Sequence, residues 1–139
     1  MEVIIKHLYN VQFEATARGH SVWCDQPLEY GGGDTGMTPP ELLLAALGTC
    51  AGYYAAKYLQ SRQLPYTDLQ VRVKAAKSAE PARLSSFQVD VITPPLDPRH
   101  EQGVLRAVKS CLIHNTLLSM PPIEVTVASV NAFELTPVA

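Results

Sequence analysis

The chain has 139 residues, of which 47 % are apolar, a formal net charge of −2 at pH 7 and an isoelectric point near 6.0. This length predicts one domain, residues 1–139, with enough apolar side chains for a core, and the charge excludes a basic surface for nucleic acid or anionic membrane. Residues 1–6 lack the basic start and long apolar run of a signal peptide, so we expect a cytoplasmic protein without nucleic-acid or membrane partners.

The three cysteines Cys24, Cys50 and Cys111 are widely spaced. They form no CxxC pair, and no histidine stands at zinc-finger spacing, so we expect no metal site. Structural disulfides are rare in a reducing compartment. Two of these thiols that did pair would therefore be redox-active rather than structural.

The N-terminal third predicts an antiparallel meander of three strands at residues 2–9, 11–17 and 21–25. The second strand alternates apolar and polar residues, which indicates one buried face. Arg18 and Gly19 lie in the tight connection that follows it, and Pro27 ends the third strand.

The glycine-rich segment Gly31 to Gly36 predicts a loop. It has neither the lysine of a phosphate-binding loop nor the spacing of a dinucleotide fingerprint, so we exclude phosphate binding. We expect a flexible lead-in to the next helix.

A long helix is predicted from Thr38 to about Arg62. Thr38 suits the N-cap, Pro39 the first helical position, and Glu41 the return arm of a capping box. Residues 42–56 carry no charge and no polar face, which predicts a helix buried on all sides. This run is shorter than the roughly 20 apolar residues of a membrane span. A small domain rarely encloses a helix completely, so the pattern favours a dimer whose partner covers the other side.

After this helix, strands are predicted at 69–75 and 84–92, and they pair as a hairpin. Asp97 and Pro98 begin a second helix, amphipathic, with Cys111 on its inward face. A final strand is predicted at 123–127. The order is β-β-β-α-β-β-α-β, an α+β fold with a mostly antiparallel sheet around a buried central helix.

The segment Pro39 to Cys50, Pro-x-Glu-Leu-Leu-Leu-Ala-Ala-Leu-Gly-x-Cys, and the segment Cys111 to Leu117, Cys-Leu-Ile-His-Asn-Thr-Leu, resemble the OsmC/Ohr (osmotically inducible protein C / organic hydroperoxide resistance) family. The resemblance implies an OsmC-like fold and an intertwined homodimer with two sites at the subunit interface. It also implies a thiol-dependent peroxidase that reduces organic hydroperoxides with a cysteine pair. Such an enzyme uses an external dithiol or lipoyl-type reductant and no metal or flavin cofactor.

By that resemblance, Cys50 is the peroxidatic thiol, which attacks the O–O bond and becomes a sulfenic acid, and Cys111 is the resolving thiol. A free thiol with a pKa of about 8.5 is mostly protonated at neutral pH. Cys50 is predicted in mid-helix, far from the positive helix end, so we expect a cation to stabilise its thiolate. Arg18 stands where the family has that arginine.

The glutamate that orients this arginine in the hydroperoxide-resistance branch is replaced here by Pro40. Glu41 follows one residue later, nine residues before Cys50 and about opposite to it on an ideal helix. Glu41 therefore has two open interpretations, a capping residue and a catalytic one. This departure makes the chain resemble the less specialised members of the family.

Two other functions remain open at this stage. A non-catalytic dimer on the same fold could bind a small apolar ligand, with both cysteines as packing residues, and a hot-dog-like thioesterase could also wrap a sheet around a helix. Replacing Cys111 by Ser separates them, because only a peroxidase should stall or over-oxidise. Cys24 is expected to have no role, and His114 is expected to be a packing or surface histidine.

Overall fold

The computed structural model describes residues 1–129. Its elements are β1 Ile4–Tyr9, β2 Gln12–Ala17, β3 His20–Cys24, a 3₁₀ turn Leu28–Tyr30, α1 Pro39–Ser61, β4 Gln70–Ala79, β5 Ala82–Ile92, α2 Pro98–Lys109 and α3 Leu112–Leu118. β1, β2 and β3 form one antiparallel sheet, and β4 and β5 form a second. The predicted α+β class is confirmed.

The three-stranded N-terminal sheet lies apart from the core of its own chain. Its strands make their principal contacts with one another. Every residue of β1 is exposed, and Trp23 on β3 keeps 54 % of its surface accessible. Arg18 and Gly19 form the β2–β3 turn with φ of 53° and 79°. This left-handed geometry suits glycine and gives a tight connection of two residues, where the sequence predicted a tight connection of three, residues 18–20.

The helix α1 begins as the sequence predicts. Thr38 is the N-cap, and the Glu41 carboxylate accepts from the Thr38 backbone N–H at 2.7 Å and from its hydroxyl at 2.8 Å. Pro39 supplies a first helical position that has no N–H to satisfy. Of the two interpretations of Glu41, the capping contact is the one that the structure contains.

Within one chain, α1 is buried on one face only, and the burial of its other faces by a dimer partner stays a prediction. Leu47, Ala51, Ala55 and Leu59 recur every four residues and are buried. Tyr53 on another face is 58 % exposed. The physical reason is that α2, α3 and the β4–β5 hairpin cover one side, while the strands of the N-terminal sheet make their principal contacts with one another.

The β4–β5 hairpin packs against α1. Its strands pair Val71 with Val91 and Val73 with Val89. A Cβ added at Gly48 would come within 2.9 Å of the Val73 side chain. Glycine at this position therefore lets the helix approach the sheet closely.

The second helical region is divided in two, which corrects the single helix predicted around Cys111. Asp97 caps α2 as predicted, its side chain accepting from the Arg99 N–H at 2.8 Å. α2 then ends at Lys109, and Cys111 is extended, with φ −60° and ψ 129°. Its sulfur accepts from the His114 N–H at 3.4 Å, so Cys111 is the N-cap of α3. Such side chain to backbone bonds compete with helix continuation.

The predicted final strand at 123–127 is wrong for the single chain, because residues 121–129 have no regular structure. Ile123, Val125 and Val127 are 78 %, 83 % and 95 % exposed. Their alternation favours a strand, but a strand forms only where a neighbour completes its hydrogen bonds. In the described part of the chain, no helix is long and apolar enough to cross a membrane.

Candidate functional site

The fold brings two of the four predicted site residues together. Cys50 lies in the middle of α1, and Cys111 lies at the start of α3, which packs against α1. The two side chains lie close enough for each thiol to shift the pKa of the other, and both thiols are free rather than bridged. The break between α2 and α3 therefore positions Cys111 against Cys50.

The Cys50 sulfur lies in an environment that favours the thiolate. Partial burial raises the pKa of Cys50, but hydrogen bonds from the Cys111 thiol and from the backbone N–H groups of Ile113 and Leu112 outweigh it, so the net pKa is lowered. These two N–H groups belong to the first turn of α3, where backbone donors have no partner within the helix. Within one chain the start of α3 thus contributes to the role that the sequence assigns to a cation, and the cation itself stays a prediction.

The environment of Cys111 favours the protonated thiol rather than the thiolate. It is 0 % exposed. Its burial raises the pKa of the Cys111 thiol, and its hydrogen bond to Cys50 raises it further, against a smaller lowering by the His114 N–H. The pair is therefore asymmetric: Cys50 is the sulfur that carries negative charge more readily, and Cys111 is the one that holds its proton and donates it.

An apolar cavity of about 740 Å³ adjoins the pair. Its walls come from α1, β5, α2 and α3, and Cys111 and His114 form part of them. Most of its other lining side chains are aliphatic or aromatic, namely Leu43, Leu47, Ala51, Leu84, Phe87, Val89, Leu105, Val108, Leu117, Leu118 and Met120. A cavity of this size and character suits a largely apolar small molecule.

The other two predicted site residues lie elsewhere in the single chain. Arg18 is exposed in the β2–β3 turn, on the sheet whose strands make their principal contacts with one another rather than with α1. Within residues 1–129 the groups that alter the pKa of Cys50 do not include Arg18 or Glu41. Glu41 is exposed and bonded to Thr38, and those bonds, backbone first, lower the pKa of its carboxyl.

The glycine-rich segment, predicted as a lead-in to the helix, forms a loop around a buried carboxylate. Asp25 accepts from the backbone N–H groups of Gln26, Gly33 and Thr35 at 2.8, 3.0 and 3.1 Å, and from the Thr35 hydroxyl at 2.7 Å. The Thr35 hydroxyl first, then these backbone donors, hold the pKa of Asp25 below its usual value despite its burial. The loop thus fixes where α1 begins relative to β3.

The Leu112 and Ile113 N–H groups were missed by the sequence analysis. Nearly all residue types have a backbone N–H, so the sequence does not show which of these donors will lie beside Cys50. The only signal available was a cysteine at a position that can cap a helix, and Cys is a rare residue there compared with Ser, Thr, Asp and Asn.

Comparison with known proteins agrees with this architecture. The profile of the OsmC-like protein family matches residues 31–126, which include both Cys50 and Cys111. The sequence finds no match among curated proteins.

Three solved structures share the fold. One is a Psychrobacter arcticus protein provisionally named as an osmotic stress induced and detoxification response protein (TM-score 0.76, 14 % identity, covering 82 % of this chain and 85 % of that one). An OsmC-like protein from Mycoplasma pneumoniae gives a TM-score of 0.68 at 19 % identity, covering 86 % and 89 %. An organic hydroperoxide resistance protein OsmC from Legionella pneumophila gives 0.59 at 17 % identity, covering 86 % and 90 %. At these identities the likeness establishes the fold.

Proposed function

Because the chain belongs to the OsmC-like protein family, we propose that it is a thiol-dependent peroxidase that reduces organic hydroperoxides through Cys50 and Cys111. The observation that carries this proposal is the asymmetric thiol pair. Cys50 lies beside Cys111 and the first turn of α3, and hydrogen bonding by the Cys111 thiol and by the Ile113 and Leu112 N–H groups lowers the pKa of Cys50 although partial burial raises it. A thiolate, not a thiol, is the nucleophile that attacks a peroxide.

The reaction needs no metal, flavin or other cofactor. The Cys50 thiolate attacks one oxygen of R–O–OH, the O–O bond breaks, and the leaving oxygen takes a proton to become the alcohol R–OH. Cys50 is then a sulfenic acid. The Cys111 sulfur attacks it, the S–O bond breaks, and water leaves as a Cys50–Cys111 disulfide forms. An external dithiol, such as a lipoyl group, reduces this disulfide by exchange and is itself oxidised to a disulfide.

We further propose that the working unit is the homodimer that the family resemblance implies. The proposal is supported by the apolar side chains that one chain leaves exposed on β1, on β3 and at residues 123–127. Large exposed apolar side chains that gather into a patch are typical of an interface.

Arg18 acts in this dimer only if it comes from the partner, because within one chain it is not among the groups that perturb Cys50. Mixing an Arg18→Ala chain with a Cys50→Ser chain tests this. If Arg18 serves the partner's thiol, mixed dimers regain one complete site, with up to about half the activity of the unmodified dimer per mixed dimer. Activity that never exceeds that of the separate variants would show that Arg18 does not act across the interface.

The central test counts free thiols in denatured, non-reduced protein before and after one equivalent of cumene hydroperoxide. We expect the loss of two thiols and a Cys50–Cys111 link, abolished in Cys50→Ser. Cys111→Ser should instead stop at a Cys50 sulfenic acid, which dimedone traps. Cys24→Ser is the matched control and should behave like the unmodified protein. No loss of thiols would reject the peroxidase.

The large apolar cavity favours a second candidate, a non-catalytic dimer that binds a small apolar ligand. In that case Cys50 and Cys111 are packing residues, and peroxide leaves the thiol count unchanged at one equivalent. The same thiol count therefore decides between the two candidates.

A further inference from the structure

His114, expected from the sequence as a packing or surface residue, lines the cavity beside Cys111. It is half-buried and stands three residues after Cys111, at the third position of α3. Its backbone N–H donates to the Cys111 sulfur at 3.4 Å. The two side chains therefore belong to the same helical turn and form part of the same cavity wall.

The start of α1 shows how near such a pair of side chains can come. Thr38 caps α1 with φ −70° and ψ 159°, and Cys111 caps α3 with the similar values −60° and 129°. In α1 the side chain three residues on, Glu41, reaches back to the Thr38 hydroxyl at 2.8 Å. A side chain at the third helical position can thus contact the side chain of the capping residue. His114 holds this position relative to the Cys111 thiol.

Cys111 has to lose its proton when its sulfur attacks Cys50. The thiol is 0 % exposed, so water has little access to it, and burial raises its pKa. In the described part of the chain no Asp or Glu lines the cavity, and its other charged groups, Arg83 on β5 and Lys109 on α2, are donors without an acceptor atom. Histidine is the residue type whose side chain most readily exchanges a proton near neutral pH. His114 is therefore the group in this wall that is suited to act as a base.

We propose that His114 is the base that takes the proton of Cys111 when this thiol attacks a modified Cys50. The inference rests on the proposed function and deepens it, since it assigns a third residue to the resolving step. As the S–S bond forms and the S–O bond of the Cys50 sulfenic acid breaks, the proton passes from Cys111 to the imidazole and then to the leaving hydroxide. The products are the disulfide and water, and the imidazole is neutral again.

The imidazole is available for this transfer in the resting pair. Within residues 1–129 its ring nitrogens make no hydrogen bond to another protein group. Hydrogen bonds of catalytic groups are often long before the reacting state forms, and rotation of the side chain or one bridging water closes such a distance. Because His114 acts on the Cys111 proton, it should affect the second step of the reaction and not the first attack by Cys50.

The central test needs no peroxide and uses the full chain with Cys24→Ser, so that the thiol pair alone reacts. The disulfide reagent dithiobis(nitrobenzoate) converts Cys50 to a mixed disulfide and releases one equivalent of coloured thionitrobenzoate. Attack by Cys111 on the Cys50 sulfur then forms the Cys50–Cys111 disulfide and releases a second equivalent as the thiolate. The rate of this second release measures the step assigned to His114.

His114→Gln and His114→Ala both keep the backbone N–H that caps Cys111. We expect each to slow the second release about tenfold and to leave the first within about twofold, a smaller effect than the roughly 100-fold or more of many general bases because thiols ionise readily. In the parent the second rate should reach a plateau by about pH 8, whereas in the variants it should keep rising with direct ionisation of Cys111. Added imidazole should restore part of the rate to His114→Ala, since the cavity of about 740 Å³ can admit it.

The matched control is Asn115→Ala, an exposed neighbour on α3 that does not line the cavity, and it should leave both releases unchanged. Equal second rates in the parent and in the His114 variants would overturn the inference. A slower variant that keeps the pH profile of the parent and does not respond to imidazole would also overturn it, because that pattern belongs to a structural role.

The two proposals fail in different ways. A slower second release in the His114 variants, without thiol loss on peroxide treatment, would refute the peroxidase alone. Thiol loss with a second release that does not depend on His114 would refute the base alone, and a parent that releases only one equivalent would refute both. With both intact, the Cys50 sulfenic acid that dimedone traps should persist about tenfold longer in His114→Gln than in the parent after one equivalent of cumene hydroperoxide.

Discussion

Replacing Cys111 by Ala should make Cys50 less reactive at neutral pH, even in reactions that need no resolving thiol. Hydrogen bonding by the Cys111 thiol helps to lower the pKa of Cys50. The Ala variant removes that donor but keeps the Leu112 and Ile113 N–H groups. Cys111→Ser restores a hydroxyl donor and should recover most of the effect, although it also cannot form the disulfide.

The size of the effect follows from the type of bond that is lost. Hydrogen bonds to charged groups contribute about 1.5–3 kcal/mol, and a thiol donor belongs at the lower end of that range. A loss of about 1.5 kcal/mol reduces the thiolate population about tenfold where the thiol is mostly protonated. At a pH high enough to ionise Cys50 in every variant, the difference should disappear.

The measurement is the rate of iodoacetamide labelling at Cys50 between pH 5 and pH 10, followed by peptide mass spectrometry so that Cys24 and Cys111 do not interfere. The Ala variant should be about tenfold slower near pH 6 and equal at pH 10, with Cys111→Ser between it and the unmodified protein. Urea unfolding of each variant controls for the lost α3 cap, which contributes about 1 kcal/mol. Superimposable pH profiles would refute the reasoning and assign the thiolate stabilisation to another group.

Three further predictions concern stability and assembly. Gly103→Ala should lower the free energy of unfolding in urea by about 2 kcal/mol, because the new Cβ would lie 1.8 Å from the Tyr58 Oη. Gly52→Ala is its control, since its Cβ would meet nothing nearer than 3.5 Å, and equal losses in the two would contradict this. The Asp25 pKa is lowered in the fold, so its carboxylate stabilises the protein above the unfolded pKa of about 3.9 and loses that effect as pH falls through the folded value. Asp25→Asn should therefore flatten the decline of Tm below pH 4. An unchanged slope would count against the stabilising role of this buried carboxylate. Trp23 is the single tryptophan and half exposed in one chain, so its emission should shift to the blue as protein concentration rises through dimerisation, whereas a concentration-independent spectrum together with a monomeric mass would oppose the dimer.

Interactions between residues close together in the sequence made much of the fold predictable. Thr38 and Glu41 specify the start of α1 through contacts three residues apart, and Asp97 specifies the start of α2 in the same way. The alternation of β2 and of the β4–β5 hairpin similarly predicts strands, because the period of two is a property of the extended backbone. The resemblance around Cys50 and Cys111 predicted the family, which the family profile confirmed.

The tertiary structure alone decided what surrounds the thiols. No Gly or Pro in the sequence predicts the end of α2 at Lys109. The break depends on the Cys111 sulfur, which accepts from the backbone N–H of His114. The donors that lower the pKa of Cys50 lie more than sixty residues away along the chain. The Asp25 carboxylate likewise gathers donors from Gly33 and Thr35, which the sequence presents as a loop. The residue pattern along a chain encodes contacts between near neighbours, whereas hydrogen bonds from distant parts of the chain to one side chain exist only once the chain has packed.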